Sequence, residues 1–197
     1  IGVSSVTVAF CSNTIMIMDK MEGHLNDFRV SPIKGMSISL AYFVSNFFVT
    51  FLVMMTIMAV GHIYLACVGW YISVEDFFMI IVDIICGISF GTLFAGVVES
   101  FISNQGGLSA VSSLVSSMYG FICGAYMPLA QFSEGLRNAL CMLPGTYGVS
   151  ILRNHYMNGY LDALSDAGIP SQAIDGIMKS FDAKIYLFGT EIPLGAM

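Results

Sequence analysis

The sequence predicts an all-α, polytopic membrane protein, and three observations predict it. Hydrophobic residues make up 56% of the 197 and charged residues only 10%, where a soluble domain is about a quarter charged. There is apolar material enough for a core, but too little charged surface to keep one in water. The apolar residues also come in runs that match or exceed a bilayer crossing, roughly 20 residues. Finally, the charges collect between the runs: six of the twenty lie in residues 19–35 and most of the rest after residue 130. This composition excludes a disordered chain and a collagen-like fibre. The acidic balance, Lys+Arg 7 against Asp+Glu 13, argues against a nucleic-acid partner.

Residues 1–18 carry no charge until Asp19 and are expected to be the end of a membrane helix. The chain opens at Ile1 inside this run, so a fragment of a longer protein is expected. Residues 19–35 change character, with Asp19, Lys20, Glu22, Asp27, Arg29 and Lys34 in quick succession. Met21, Leu25 and Phe28 fall at i, i+4 and i+7, one face of a short helix over about 19–30, with Glu22, Asn26 and Arg29 on the other. Ser31-Pro32 is a suitable cap and first residue for the next helix.

Residues 36–68 form the longest uncharged run and a second span, with length to spare for tilt. Trp70 and Tyr71 suit a headgroup boundary, and Glu75-Asp76 marks water. Residues 77–102 form a third span containing Asp83 and Glu99, and 103–107 a polar turn. Residues 108–127 form a fourth, rich in small residues. Phe132, Leu136, Ala139, Leu140 and Leu143 make an amphipathic stripe, stopped by Pro144-Gly145. Residues 159–197 are polar enough to lie in water.

Sidedness follows from Lys and Arg in short loops. The 19–35 loop carries three and the 69–76 loop none. The first is therefore expected in the cytoplasm and the second outside, which places 103–107 inside and 128–197 outside.

Several motifs have two readings. Gly87-Ile88-Ser89-Phe90-Gly91 matches the G-x-S-x-G nucleophile elbow, with His155 as the only downstream histidine. It sits mid-span, however, and Gly87, Gly91 and Ala95 at intervals of four make a smooth ridge for close helix packing. Asp83 and Glu99 are costly if they face lipid. Asp83 has three readings: a substrate-cation site, a proton carrier, or a hydrogen bond to a neighbouring helix. Glu99 lies near the cytoplasmic end of its span, within reach of headgroups. Five cysteines without a CxxC read as small hydrophobes rather than a disulfide framework. The three dispersed histidines suggest no metal site. No Gly is followed by Lys, so a Walker A loop is absent from the sequence.

Two stretches, in order and with spans between them, carry a family likeness. The first reads Asp19-Lys20, Gly23-His24-Leu25, Asp27-Phe28 and Ser31-Pro32-Ile33. The second reads Gly124-Ala125-Tyr126-Met127-Pro128, an amphipathic segment to Leu143-Pro144, then Tyr147 and Leu152-Arg153. Over roughly residues 10–160 the chain resembles ABC-2 type transporter permeases.

The resemblance implies a membrane subunit of an ATP-driven exporter in a cell membrane, bacterial plasma membrane by this reading. It implies a second permease half, identical or not, and a separate ABC ATPase subunit that holds the ATP and magnesium. No cofactor is expected in this chain. The short cytoplasmic helix would be the coupling helix, docking through Met21, Glu22, Gly23, Leu25, Phe28 and Arg29. Residues 131–158 would be re-entrant helices at the extracellular end. Family members have six spans per half, so missing terminal spans are expected, the last one after the polar 159–197 segment.

Asp83, Gly87, Gly91 and Glu99 would line the pathway or pack its helices. The Met- and Phe-rich spans lean toward a hydrophobic or amphipathic cargo, a drug or lipid-like small molecule. The alternatives are a secondary transporter or channel with Asp83 as ion site, and an intramembrane hydrolase using Ser89 and His155.

Overall fold

The computed structural model describes residues 1–24, 34–168, 170–181, 185–187 and 190–192. The order of elements is helical through residue 180. Helix α1 spans Gly2–Glu22 and ends where Gly23 turns left-handed at φ 84°, a conformation that favours glycine. Helix α2 (Gly35–Val68) has 34 residues and is about 50 Å long. Helix α3 spans Val74–Ser100, with Glu75 and Asp76 in its first turn, where the helix dipole favours negative charge. Helix α4 (Gln105–Ile122) is capped by Asn104, whose Oδ1 accepts the Gly107 N–H at 2.5 Å.

A 3-10 turn at Leu129–Gln131 leads to α5 (Glu134–Leu140) and α6 (Pro144–Asp166). Pro144 opens α6 because its missing N–H is one that a first turn leaves unpaired anyway. Helix α7 (Ser171–Ser180) follows, then β1 (Ile185–Leu187) and β2 (Thr190–Ile192), antiparallel with Tyr186 opposite Glu191.

Among the described residues, α2 and α3 are the two helices long and apolar enough to cross a membrane. Helices α1 and α4 occupy the other two expected spans. Ser, Thr and Asn dilute the apolar character of α1, as five Ser do that of α4.

Three expectations are corrected. Met21 and Glu22 belong to the last turn of α1, and the left-handed Gly23 ends that helix, so no separate helix starts at Asp19. The rest of that expected helix, with Leu25, Phe28 and Arg29, lies outside the described residues. Helix α6 runs on to Asp166, across the boundary expected at 158. The fourth span, expected over 108–127, is helix α4 over Gln105–Ile122, which takes in part of the expected 103–107 turn and stops before Cys123. The all-α class stands, the only strands among the described residues being the three-residue β1 and β2 after residue 180.

The chain divides into two compact units. The first holds residues 3–60 and 87–119, with Ile1. Its core is built from Val6, Phe10 and Ile17 of α1, Met54 and Met58 of α2, Ile88 and Ala95 of α3, and Leu108 of α4. Two directions can be read inside it. Asn46 of α2 donates to the Ala9 carbonyl at 3.2 Å, and Tyr42 donates to Asp19 at 2.6 Å, so α1 and α2 run antiparallel. Along α3, Gly91 lies against Val6 and Ala9, Phe94 meets Phe10 edge-on at 5.6 Å, and Glu99 reaches Asn13. Both indices rise together, so α1 and α3 run parallel.

The second unit holds residues 61–86 and 120–197, with Gly2. Ile72, Ile80, Ile84, Val149, Leu152 and Leu161 are buried in it, and Leu129 with Cys141 packs against Phe132, Leu140 and Tyr147. Outside these cores the long helices are covered in apolar side chains. Leu40, Phe48, Leu52, Val60 and Ile63 of α2 and Phe78, Val82, Leu93 and Val97 of α3 are all exposed. That surface suits hydrocarbon, since lipid tails are as apolar as leucine.

Candidate functional site

The polar chemistry sits where the apolar runs are interrupted. In the first unit, Glu99 is fully buried near the end of α3. A charged side chain inside a bilayer costs about 3 kcal/mol even on the lenient insertion scale, so its surroundings must compensate. Asn13 of α1 donates its Nδ2 to Glu99 Oε2 at 2.9 Å. The hydroxyls of Thr14 (α1) and Ser112 (α4) each stand 3.5 Å from Oε1. Three helices therefore converge on one carboxylate. Asn13 and Thr14, consecutive residues about two turns before the end of α1, both reach Glu99.

The same α1–α3 contact is made close by glycine. A Cβ on Gly91 would lie 2.9 Å from the Ser5 carbonyl oxygen and 3.1 Å from Val6 Cα, both backbone atoms that cannot rotate away. A Cβ on Gly87 would meet the Ser5 side chain at 3.2 Å. Residues 87–91 are continuous α-helix. A nucleophile elbow needs a sharp strand-to-helix turn, so the G-x-S-x-G match forms none here.

In the second unit, Asp83 of α3 and His155 of α6 pair through Oδ2 and Nδ1 at 2.6 Å, with 16% and 23% of their side chains exposed. One turn on, Asn158 donates to Asp76 at 3.3 Å. Asp76 and Asp83 are seven residues apart and His155 and Asn158 three apart, so each pair shares a helix face. The ring of His62 stands 5.3 Å from Phe77, 5.7 Å from Trp70 and 5.8 Å from Tyr156. Arg153 donates to the Gly124 carbonyl at 2.8 Å and also to that of Phe181, tying α6 to the segments before α5 and after α7.

Of the candidates named from sequence, Met21, Glu22 and Gly23 form the exit of α1, where Glu22 contacts His24 at 3.1 Å on the exposed surface. Leu25, Phe28 and Arg29 lie outside the described residues. Asp83 meets a histidine that the sequence offered only as a hydrolase residue. The residues missed are Asn13, Thr14 and Ser112 around Glu99, and His155 and Asn158 on α6. The one available signal was Asn13-Thr14, a strongly polar pair inside an apolar run. Ser112 is one of five Ser in α4 and nothing in the sequence marks it. Among the described residues no three His, Cys, Asp or Glu gather as metal ligands.

The family model for the ABC-2 type transporter matches residues 1–157. This chain belongs to the ABC-2 type transporter family. It is a membrane protein and a component of transmembrane transport rather than an ATPase. No individual curated protein and no solved structure matches it significantly. The matched region takes in helices α1 to α5 and most of α6, including the Glu99 cluster and the Asp83–His155 pair, with Asn158 one residue beyond it.

Proposed function

We propose that this chain is the multi-pass permease subunit of an exporter in the bacterial plasma membrane. A separate ABC ATPase subunit holds the ATP and magnesium, and a second permease half completes the pathway. The family match over residues 1–157 carries this reading. The exposed apolar faces of α2 and α3 support it, as do the helix directions of the first unit, for parallel α1 and α3 suit spans that cross the same way.

The work done is a change of exposure rather than covalent chemistry. ATPase closure would shift the permease between arrangements open to either side, a movement of packed helices about an interface. The drive enters at the loop after α1. There Leu25 and Phe28, with Met21, supply apolar surface for a groove on the ATPase. Glu22 and Arg29 supply charge at its rim, and Gly23 supplies the turn that frees the loop from α1. The cargo is a hydrophobic or amphipathic small molecule, drug or lipid-like, which the Met- and Phe-rich helices can accommodate by repacking.

The test is charge insertion. Leu25→Asp is expected to leave the protein in the membrane and bound to its cargo, and to cut ATP-driven transport by at least about tenfold, the effect of roughly 1.4 kcal/mol of lost docking. The partner ATPase should then hydrolyse ATP without transport. Normal transport by Leu25→Asp sinks the docking reading.

The competing reading, a secondary transporter using Asp83 as ion site, predicts transport that follows an ion gradient without ATP and is lost in Asp83→Asn. The 2.6 Å contact with His155 favours a structural role for Asp83 instead.

A further inference from the structure

Glu99 is a fully buried carboxylate with which, among the described residues, no Lys, Arg or His pairs. Its two oxygens are treated differently. Oε2 takes the amide of Asn13 at 2.9 Å, a normal hydrogen bond. Oε1 faces two hydroxyl oxygens, Thr14 Oγ1 and Ser112 Oγ, each at 3.5 Å, and those two are themselves 3.5 Å apart. The three oxygens form an equilateral triangle whose edges are well beyond the roughly 2.7–2.8 Å of a hydroxyl hydrogen bond.

Thr14 has one hydroxyl proton, and its nearest acceptor is the Phe10 carbonyl at 3.0 Å in its own helix. With that bond made, the lone pairs of Thr14 turn toward the triangle. Ser112 has one proton for two neighbours. With the carboxylate ionised, three oxygens face one another with a single proton among them, which is repulsive unless something positive sits between.

Geometry selects what fits. Calcium binds oxygens at about 2.3–2.6 Å, and sodium has nearly the same ionic radius. An ion about 2.5 Å from each corner would see the three oxygens at about 90°, an octahedral face. A water about 2.8 Å from each would see them at roughly 77°, far from its tetrahedral preference. A magnesium-sized ion at about 2.0–2.1 Å would be drawn flat into the plane, and it dehydrates reluctantly. A single carboxylate balances a single positive charge, so a divalent ion would leave the buried site net positive.

We infer that Glu99, Thr14 and Ser112 form a sodium site joining α1, α3 and α4. Glu99 Oε1 supplies the charge, the two hydroxyls complete one face, and water fills the remaining positions. Asn13 holds the carboxylate so that Oε1 points into the site. Because the ligands come from three helices, bound sodium favours the arrangement in which those helices meet, and any state that separates them must release it. This goes beyond the permease reading and does not rest on the ATPase or the cargo.

The test uses the full protein in phosphatidylcholine nanodiscs, without nucleotide, at pH 8. Thermal unfolding is followed as NaCl replaces choline chloride at constant ionic strength, with KCl as the comparison. Sodium is expected to raise Tm with a saturable midpoint, and potassium to do so only at much higher concentration. Ser112→Ala, which removes one oxygen from a half-buried surface, should move the sodium midpoint upward on the order of tenfold. Glu99→Gln should abolish the response. Equal effects of the three salts overturn the proposal, as does a wild-type midpoint in Ser112→Ala. Should Glu99→Gln fail to fold, the Ser112→Ala midpoint decides alone. Since no ATP is present, a negative result here leaves the transport reading standing, and loss of coupling in Leu25→Asp leaves the sodium response untouched.

Discussion

Gly91 separates two kinds of glycine in one helix. Its absent side chain is what lets the backbone of α3 lie against Ser5 and Val6 of α1, while Gly96, five residues on, has nothing within 4 Å of where a Cβ would stand. Gly91→Leu should therefore force the two helices apart and cost about 1–3 kcal/mol, the usual penalty of overpacking. Gly96→Leu should be neutral or slightly stabilising, because leucine favours helix over glycine by up to about 1 kcal/mol. Thermal unfolding of the two variants in the same nanodiscs makes the comparison, and equal losses would contradict it. The ridge of Gly87, Gly91 and Ala95 was legible because helical spacing is local. Which helix would fill the groove beside it was not. The same holds for Glu99, whose cost in a membrane is readable from its type while its donors come from positions more than 80 residues away on α1 and 13 away on α4.

Elements meet the sequence reading less evenly. Local signals mark two helix starts: Glu75-Asp76 lies in the first turn of α3, and Asn104 caps α4, although that helix takes in residues 105–107 of the expected turn. The exit of α1 differs because a charge cluster marks a change of surroundings, not a change of backbone. The helix continues through Asp19 and Lys20 until Gly23 supplies a left-handed turn. At α6 the Pro144-Gly145 pair, read as a stop, is also a start, since proline is as welcome in a first turn as it is disruptive later. Helices α3 and α6 are then clasped by Asp83 with His155 and Asp76 with Asn158. A double-mutant cycle on Asp83→Asn and His155→Gln should give a coupling energy of about 0.5–3 kcal/mol. Additive losses would mean that the 2.6 Å contact contributes nothing.

At the scale of the whole molecule the issue is sidedness. Because α1 and α3 run parallel, the chain leaves both at the same face of the first unit, so Lys20 and Ser103 should share one side of the membrane. The basic loop after α1 makes that side the cytoplasm. In a background without the native cysteines, Lys20→Cys and Ser103→Cys should react with an impermeant maleimide only after cells are permeabilised. Ser73→Cys, at the far end of α2, should react in intact cells. Labelling of Ser103→Cys in intact cells would reverse the assignment. The sequence by itself determined the class: charge content, run length and the paired loop motifs suffice for an apolar helical ABC-2 chain, since each is local or compositional. Only the tertiary structure decided that α1 and α3 lie side by side, that Glu99 meets two hydroxyls and an amide, and that Asp83 meets His155. Those contacts join residues up to 86 positions apart. In a chain so uniformly apolar, hydrophobicity cannot choose between neighbours; close glycine packing and a few polar groups that must find partners make the choice.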